Sequence, residues 1–119
     1  VGYCAEVTVP FSYNQGCKAV KCNSDVDQLY LYYFMSNQKA ALERVSSGTT
    51  FLELPKKELE RFLVSIPLDT DEQKDVAAKI LAADEKVQSE IDYMRKLGNI
   101  KKGLVSDLLS GKVDAGKLK

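Results

Sequence analysis

Apolar residues recur at helical spacing along the second half of the chain. Seven of them advance by 4, 3, 4, 4, 3 and 3 residues: Val76, Ile80, Ala83, Val87, Ile91, Met94 and Leu97. The average step of 3.5 residues is the repeat that keeps one face of a helix towards a partner helix. Just before this set, Thr70 and Gln73 form a capping-box pattern, which predicts a helix start. The sequence therefore predicts a long, coiled-coil-like helix whose face of seven residues, the helix stripe, packs against another helix.

The far end of this helix is predicted from breaks in the same pattern. Gly-Asn at 98–99 interrupts the spacing, which then resumes and ends before Gly111, a candidate left-handed stop. We therefore expect helical structure over residues 69–111, with a possible kink at 98–99. Residues 112–119 show no apolar periodicity and are expected to fray.

The first 68 residues mix short β-prone and helical segments. Runs of β-branched and aromatic residues bounded by turn formers predict strands at residues 3–10, 17–22 and 64–66. Apolar residues at helical spacing predict an amphipathic helix over residues 24–45, and Pro55 predicts the start of a short helix over residues 56–62. The predicted fold class is α+β, with a small partial α/β domain at residues 1–68 followed by the long helix.

Composition excludes several kinds of chemistry. The chain has no histidine, so Ser-His-Asp and Cys-His nucleophile pairs and imidazole metal ligands are impossible. Its 17 basic and 17 acidic residues balance, and 45% hydrophobic residues are typical of a folded globular protein. The longest apolar run, residues 29–35, is far shorter than a membrane span. We expect a cytoplasmic protein.

The three cysteines do not form a familiar metal motif. Cys17 and Cys22 are separated by four residues, and Cys4 lies further away, unlike the spacing of a zinc knuckle. We therefore expect no metal site, and we expect all three to be buried free thiols.

Several short motifs occur in a fixed order along residues 1–112. They are Ser12-Tyr13-Asn14-Gln15-Gly16-Cys17, Ser47-Gly48-Thr49-Thr50, Ser65-Ile66-Pro67-Leu68, Glu72-Gln73-Lys74, Ile80-Leu81 with Asp84, Lys101-Lys102-Gly103-Leu104, and Leu108-Leu109-Ser110-Gly111-Lys112. In this order and at this spacing, the chain resembles the specificity subunit of type I restriction-modification systems.

The resemblance implies a non-catalytic, cofactor-free subunit that binds double-stranded DNA. Family members are expected to carry two α/β target recognition domains, separated by long spacer helices that pair antiparallel, and to bind methylation and restriction subunits. By this analogy residues 1–68 are the rear part of a recognition domain and residues 69–111 are the spacer helix. The helix stripe would then pack against the spacer helix of the same subunit or form an antiparallel homodimer.

The resemblance also suggests which side chains contact DNA. Amides suit adenine edges, whereas cations suit guanine or phosphate, and hydroxyls can bind phosphate. The candidates are Tyr13, Asn14, Gln15, Lys18, Ser47, Thr49, Thr50, Lys56 and Lys57. For each loop the alternative is a turn whose polar groups satisfy their own backbone. For the two lysines at 56–57 the alternative is a solvated helix face, diluted by Glu58 and Glu60.

Two other function classes stay open at this point. A coiled-coil interaction or dimerisation adaptor would organise an assembly without reading DNA, and the neutral net charge agrees with that. An enzyme would require the adjacent Asp84 and Glu85, or the thiols, to lie in a cleft, although alternating charges along the helix favour a solvated face.

Overall fold

The fold consists of helices in two compact units, Val1–Ile80 and Leu81–Lys119. The structure, a computed structural model, describes residues 1–48 and 51–117. The helices in chain order are α1 (Gln28–Ser36), α2 (Lys39–Arg44), α3 (Lys56–Glu60) and α4 (Thr70–Leu109), followed by a 3-10 turn at Ala115–Lys117. None of the helices in these described parts is long and apolar enough to cross a bilayer.

The predicted strands do not form, so the structure shows the helical part of the predicted α+β fold but not its sheet. Within residues 1–48 and 51–117 the β pairing is limited to one antiparallel bridge between Ser47 and Glu53, with N···O distances of 2.9 and 2.8 Å. Residues 3–10 are exposed, and no backbone hydrogen bond joins them to another described segment. A β-branched sequence favours a strand only where a neighbouring strand satisfies its backbone groups.

The helix predicted over residues 24–45 is two helices. Asp27 is the N-cap of α1, because its carboxylate accepts the N–H of Tyr30 at 2.9 Å. At the other end the N–H of Asn37 donates to the carbonyls of Tyr33 and Phe34, and the helical ladder stops. The chain restarts at α2, where Leu42 is 2% exposed and belongs to the small core.

Helix α4 is confirmed as one long element, and it is not split at residues 98–99. Gly111, the predicted stop, has φ +71° and donates its N–H to the Leu108 carbonyl, which ends the helix as expected. The tail predicted to fray contains the 3-10 turn Ala115–Lys117, where the N–H of Gly116 donates to Asp114.

The start of α4 differs from the predicted capping box. Gln73 is 0% exposed, and its amide bonds groups outside the helix: Oε1 accepts the N–H of Asp27 at 2.7 Å, while Nε2 donates to the carbonyls of Asp25 (3.0 Å) and Pro67 (2.8 Å). The carboxylate of Asp69 accepts a hydrogen bond from the N–H of Asp71. Thr70 is the first residue of the helix. We call this set of bonds the Gln73 junction.

The prediction of buried cysteines is wrong for two of the three. Cys4 and Cys17 are exposed and Cys22 is half-buried, and all three are free thiols. Burial, and to a smaller extent the negative charge of Asp27, raise the pKa of Cys22 above its usual value.

Candidate nucleic-acid interface

The loop at residues 13–18 is a turn organised by its own asparagine. The side-chain oxygen of Asn14 accepts the N–H groups of Gly16 (3.0 Å) and Cys17 (3.3 Å). This supports the alternative that Asn14 shapes the loop, because its acceptor is already used. Tyr13 is 56% exposed and its ring lies 5.6 Å from that of Phe11.

Lys18 connects this loop to the second candidate loop. Its ammonium donates to the Gln15 carbonyl at 2.9 Å and to the Glu53 carboxylate at 3.3 Å. Glu53 is the bridge partner of Ser47. The structure therefore brings the loop at residues 13–18 close to the loop at Ser47, two segments proposed for DNA contact. The ammonium of Lys18 is used to hold these two loops together.

The second loop is tightly constrained at Gly48. Its φ of +132° suits glycine, and a Cβ at this position would collide with the carbonyl oxygen of Phe51. Ser47 is exposed and forms the bridge through its backbone. Thr49 and Thr50 lie outside the described residues.

The two candidate lysines lie on α3, which begins three residues after Glu53. Both are exposed, and the ammonium of Lys56 lies 3.6 Å from the carboxylate of Glu60. Lys57 makes no ion pair with any residue that the structure describes, so its charge is the more available of the two for a phosphate.

The helix stripe is half-buried at its start and exposed along the rest of its length. Val76, which is half-buried, and Ile80, which is 37% exposed, line an open apolar groove of about 320 Å³ on the Val1–Ile80 unit, which we call the aromatic cavity. The other lining residues are Tyr30, Tyr33, Phe34 and Asn37. Further along α4 the stripe is exposed, with values of 58% at Val87, 50% at Ile91, 69% at Met94 and 43% at Leu97. Ala83 is also exposed.

Sequence reasoning missed three features: the Gln73 junction, the Lys18–Glu53 link and the aromatic cavity. Each joins segments far apart in the chain, with 46 positions between Asp27 and Gln73 and 35 between Lys18 and Glu53. The aromatic cavity alone has a local signal in the sequence, because Tyr30 and Phe34 are four residues apart and therefore lie on one face of α1. Across the residues that the structure describes, no three His, Cys, Asp or Glu side chains cluster to hold a metal ion.

Comparison with known proteins gives a family match over most of the chain. Residues 1–97 match the family model described as the type I restriction modification DNA specificity domain. Over 100 residues the chain is 28% identical to a protein named as the MjaX type I restriction enzyme specificity subunit of Methanocaldococcus jannaschii. The alignment covers 83% of this chain but spans only 23% of that relative. No solved structure gives a significant match.

Proposed function

Since this chain belongs to the type I restriction modification DNA specificity domain family, we propose that it is part of a specificity subunit that reads DNA for a restriction-modification complex. The observation that carries the proposal is the family match over residues 1–97, which includes both candidate loops and most of α4. Residues 1–68 would contact double-stranded DNA, and residues 69–111 would form the spacer helix. The chain itself would be non-catalytic and bind no cofactor.

The contacts divide the candidate residues into two groups. Asn14, Lys18 and the Ser47 backbone are engaged in shaping the loops, because each bonds neighbouring groups of the chain. Gln15 is exposed, and its side chain makes no hydrogen bond with the described residues. We therefore assign base contact to Gln15, whose amide suits an adenine edge, and phosphate contact to Lys57.

Helix α4 would join this reader to the other subunits. Its exposed stripe supports packing against a second helix, either the spacer helix of the same subunit or that of a second copy. Methylation and restriction subunits would bind to this helical scaffold and supply methyl transfer and DNA cleavage. In such an assembly the β-prone residues 3–10 would find the strand partner that the proposed α+β domain requires. The family does not favour the alternative of an adaptor that ignores sequence.

The proposal is tested by selecting DNA with the chain and the methylation subunit of its own system. The two proteins are mixed with random duplexes at physiological salt, and retained duplexes are sequenced against a control without the chain. We expect enrichment of a short motif. Retention with no motif would overturn sequence reading by this chain.

Two variants then assign the contacts. Gln15→Ala should change or relax the motif, because a lost base contact alters discrimination. Lys57→Ala should weaken binding equally for all sequences and reduce the salt dependence, since phosphate carries no sequence information. The matched control is Lys86→Ala, an exposed lysine on α4 that should change neither.

A further inference from the structure

The ammonium of Lys18 is held between two oxygens that come from separate loops. It donates to the Gln15 carbonyl at 2.9 Å and to the Glu53 carboxylate at 3.3 Å. The Lys18 side chain is only 20% exposed, whereas that of Lys56, a candidate lysine on α3, is 80% exposed. Part of the water around the Lys18 ammonium is therefore already replaced by oxygens of the chain.

Gln15 is the residue whose backbone this arrangement fixes. It lies inside the turn that the N–H of Cys17 closes on the Asn14 carbonyl at 3.1 Å. Because Lys18 holds the carbonyl of Gln15 itself, this residue is tied at its backbone while its side chain stays exposed. A side chain presented from a fixed backbone loses less freedom on binding than one on a mobile loop. The bond from Lys18 therefore prepares Gln15 for the base contact assigned to it.

Glu53 is braced on the other side of the ion pair. Its backbone exchanges two hydrogen bonds with Ser47, at 2.9 and 2.8 Å, and this bridge closes the loop that contains the constrained Gly48. The carboxylate therefore projects from a fixed backbone position, 35 positions away from Lys18 in the chain. Because Glu53 is an acid, it is unsuited to contact phosphate itself, and its effect on DNA has to pass through Lys18.

The same ion pair controls how the charge of Lys18 meets DNA. A lysine beside a base-reading loop binds the phosphates of any sequence, and each such contact strengthens binding without adding discrimination. Glu53 opposes that contact, since the Lys18 ammonium would have to leave the carboxylate to reach a phosphate. Specificity is a difference between two affinities, so an element that weakens binding to the wrong sequence raises it.

We propose that Glu53 is a positioning residue that determines DNA specificity through Lys18. It holds the Lys18 ammonium against the Gln15 carbonyl, which fixes Gln15 for base contact and keeps the Lys18 charge away from the phosphates of other sequences. The inference rests on the proposed DNA reading and deepens it, because it assigns a role in that reading to an acidic residue.

The test compares Glu53→Met with the original chain, each mixed with the methylation subunit. Methionine keeps the length of the side chain and leaves the backbone bonds to Ser47 in place, but it removes the charge. In the selection from random duplexes, discrimination at the base pair that Gln15 reads should fall about fivefold or more. Binding to a duplex without the motif should tighten, and its dependence on log salt should steepen by about 0.9, the value of one added phosphate contact. A merely damaged loop would weaken binding to both duplexes, which would overturn the inference.

Two substitutions of Lys18 separate positioning from direct contact. Lys18→Met should weaken the motif as Glu53→Met does but leave the salt dependence unchanged, because no cation is released. Lys18→Arg should keep the motif, since a guanidinium can donate to both oxygens. If Lys18 contacted phosphate in the original chain, Lys18→Met would instead reduce the salt dependence by about 0.9, and the inference would be wrong.

Glu60→Met is the matched control for the change in net charge. Its carboxylate lies 3.6 Å from the ammonium of Lys56, and both side chains are already largely exposed, so the motif should not change. Equal weakening of the motif by Glu60→Met and Glu53→Met would overturn the inference.

The selection also separates this inference from the proposed function. If the original chain selects no motif, the proposed DNA reading fails and the role of Glu53 falls with it. If the original chain selects a motif and Glu53→Met selects it equally strongly, the DNA reading stands and only the role of Glu53 is overturned.

Discussion

Helix α4 passes through two different environments, although its apolar spacing is the same in both. In its first turns, inside the Val1–Ile80 unit, Gln73 and Ala77 are 0% and 1% exposed. In the Leu81–Lys119 unit the stripe residues Val87 and Met94 are 58% and 69% exposed. A repeat of 3.5 residues therefore predicts the helix, but contacts with distant segments decide which part of it is buried.

Of the substitutions that compare the two environments, Gln73→Glu is expected to cause the largest loss of unfolding free energy. The carboxylate cannot donate to the Asp25 and Pro67 carbonyls, and its charge would be buried, so we expect a loss of about 3 kcal/mol of unfolding free energy. Urea denaturation at fixed protein concentration measures it. The control is Gln88→Glu, an exposed amide in the second unit that should cost less than about 0.5 kcal/mol. Similar losses in both variants would contradict the Gln73 junction.

A smaller difference is expected from shortening a leucine in each unit. Leu42 is 2% exposed, so Leu42→Ala should cost about 2 kcal/mol through lost burial and the cavity left behind. Leu109, at 85% exposure, should tolerate the same change almost without effect. The two midpoints of thermal unfolding, measured side by side, check this. A larger loss at Leu109 would show that the exposed end of α4 is covered in solution.

The cysteines report on the packing of the first unit. Cys22 should react with iodoacetamide more slowly than the exposed Cys4, because it is half-buried and its raised pKa keeps it protonated as the pH rises. Asp27→Asn removes one cause of the raised pKa and should speed the reaction slightly. Mass spectrometry of the modified peptides against time, at several pH values, measures the rates. Equal rates at the two sites would contradict the burial of Cys22.

The smallest effect is expected at a surface ion pair of α4. Lys86 lies 2.6 Å from Glu90, with both side chains largely exposed, so Lys86→Ala should change unfolding free energy by less than about 0.5 kcal/mol. Repeating the urea titration at high salt should remove even this difference. A loss above 1 kcal/mol would indicate that the pair is shielded from solvent.

The elements that could be predicted from sequence are those whose signals are local and repeated. The apolar spacing in α4 recurs over many turns. Gly111 lies where this spacing ends, and glycine is the residue best suited to the positive φ found there. The predicted strands failed because pairing depends on a distant partner, which no local pattern specifies. The glycine at 98 did not end the helix, since the cost of one glycine inside a helix is only about 1 kcal/mol relative to alanine.

The candidate site shows the same limit. The sequence places Asn14 in a loop, as the structure does. The hydrogen bonds by which Asn14 shapes the turn depend on backbone geometry, which the residue types alone do not specify. Lys18 was proposed for DNA, whereas its partner Glu53 lies 35 positions away. Thr70 and Gln73 have the residue types and the spacing of a capping box. The same two residue types are equally compatible with the observed arrangement, in which the buried amide of Gln73 bonds other loops.

The unbroken course of α4 also constrains how its gene can change length. Each residue inserted into a helix turns everything beyond it by about 100° and advances it by about 1.5 Å. One extra codon would therefore move the later apolar residues out of line with the earlier ones. Seven extra codons restore the alignment to within about 20° and lengthen the helix by about 10 Å. An insertion of 21 nucleotides is thus one step by which this helix could grow during evolution while keeping one continuous seam.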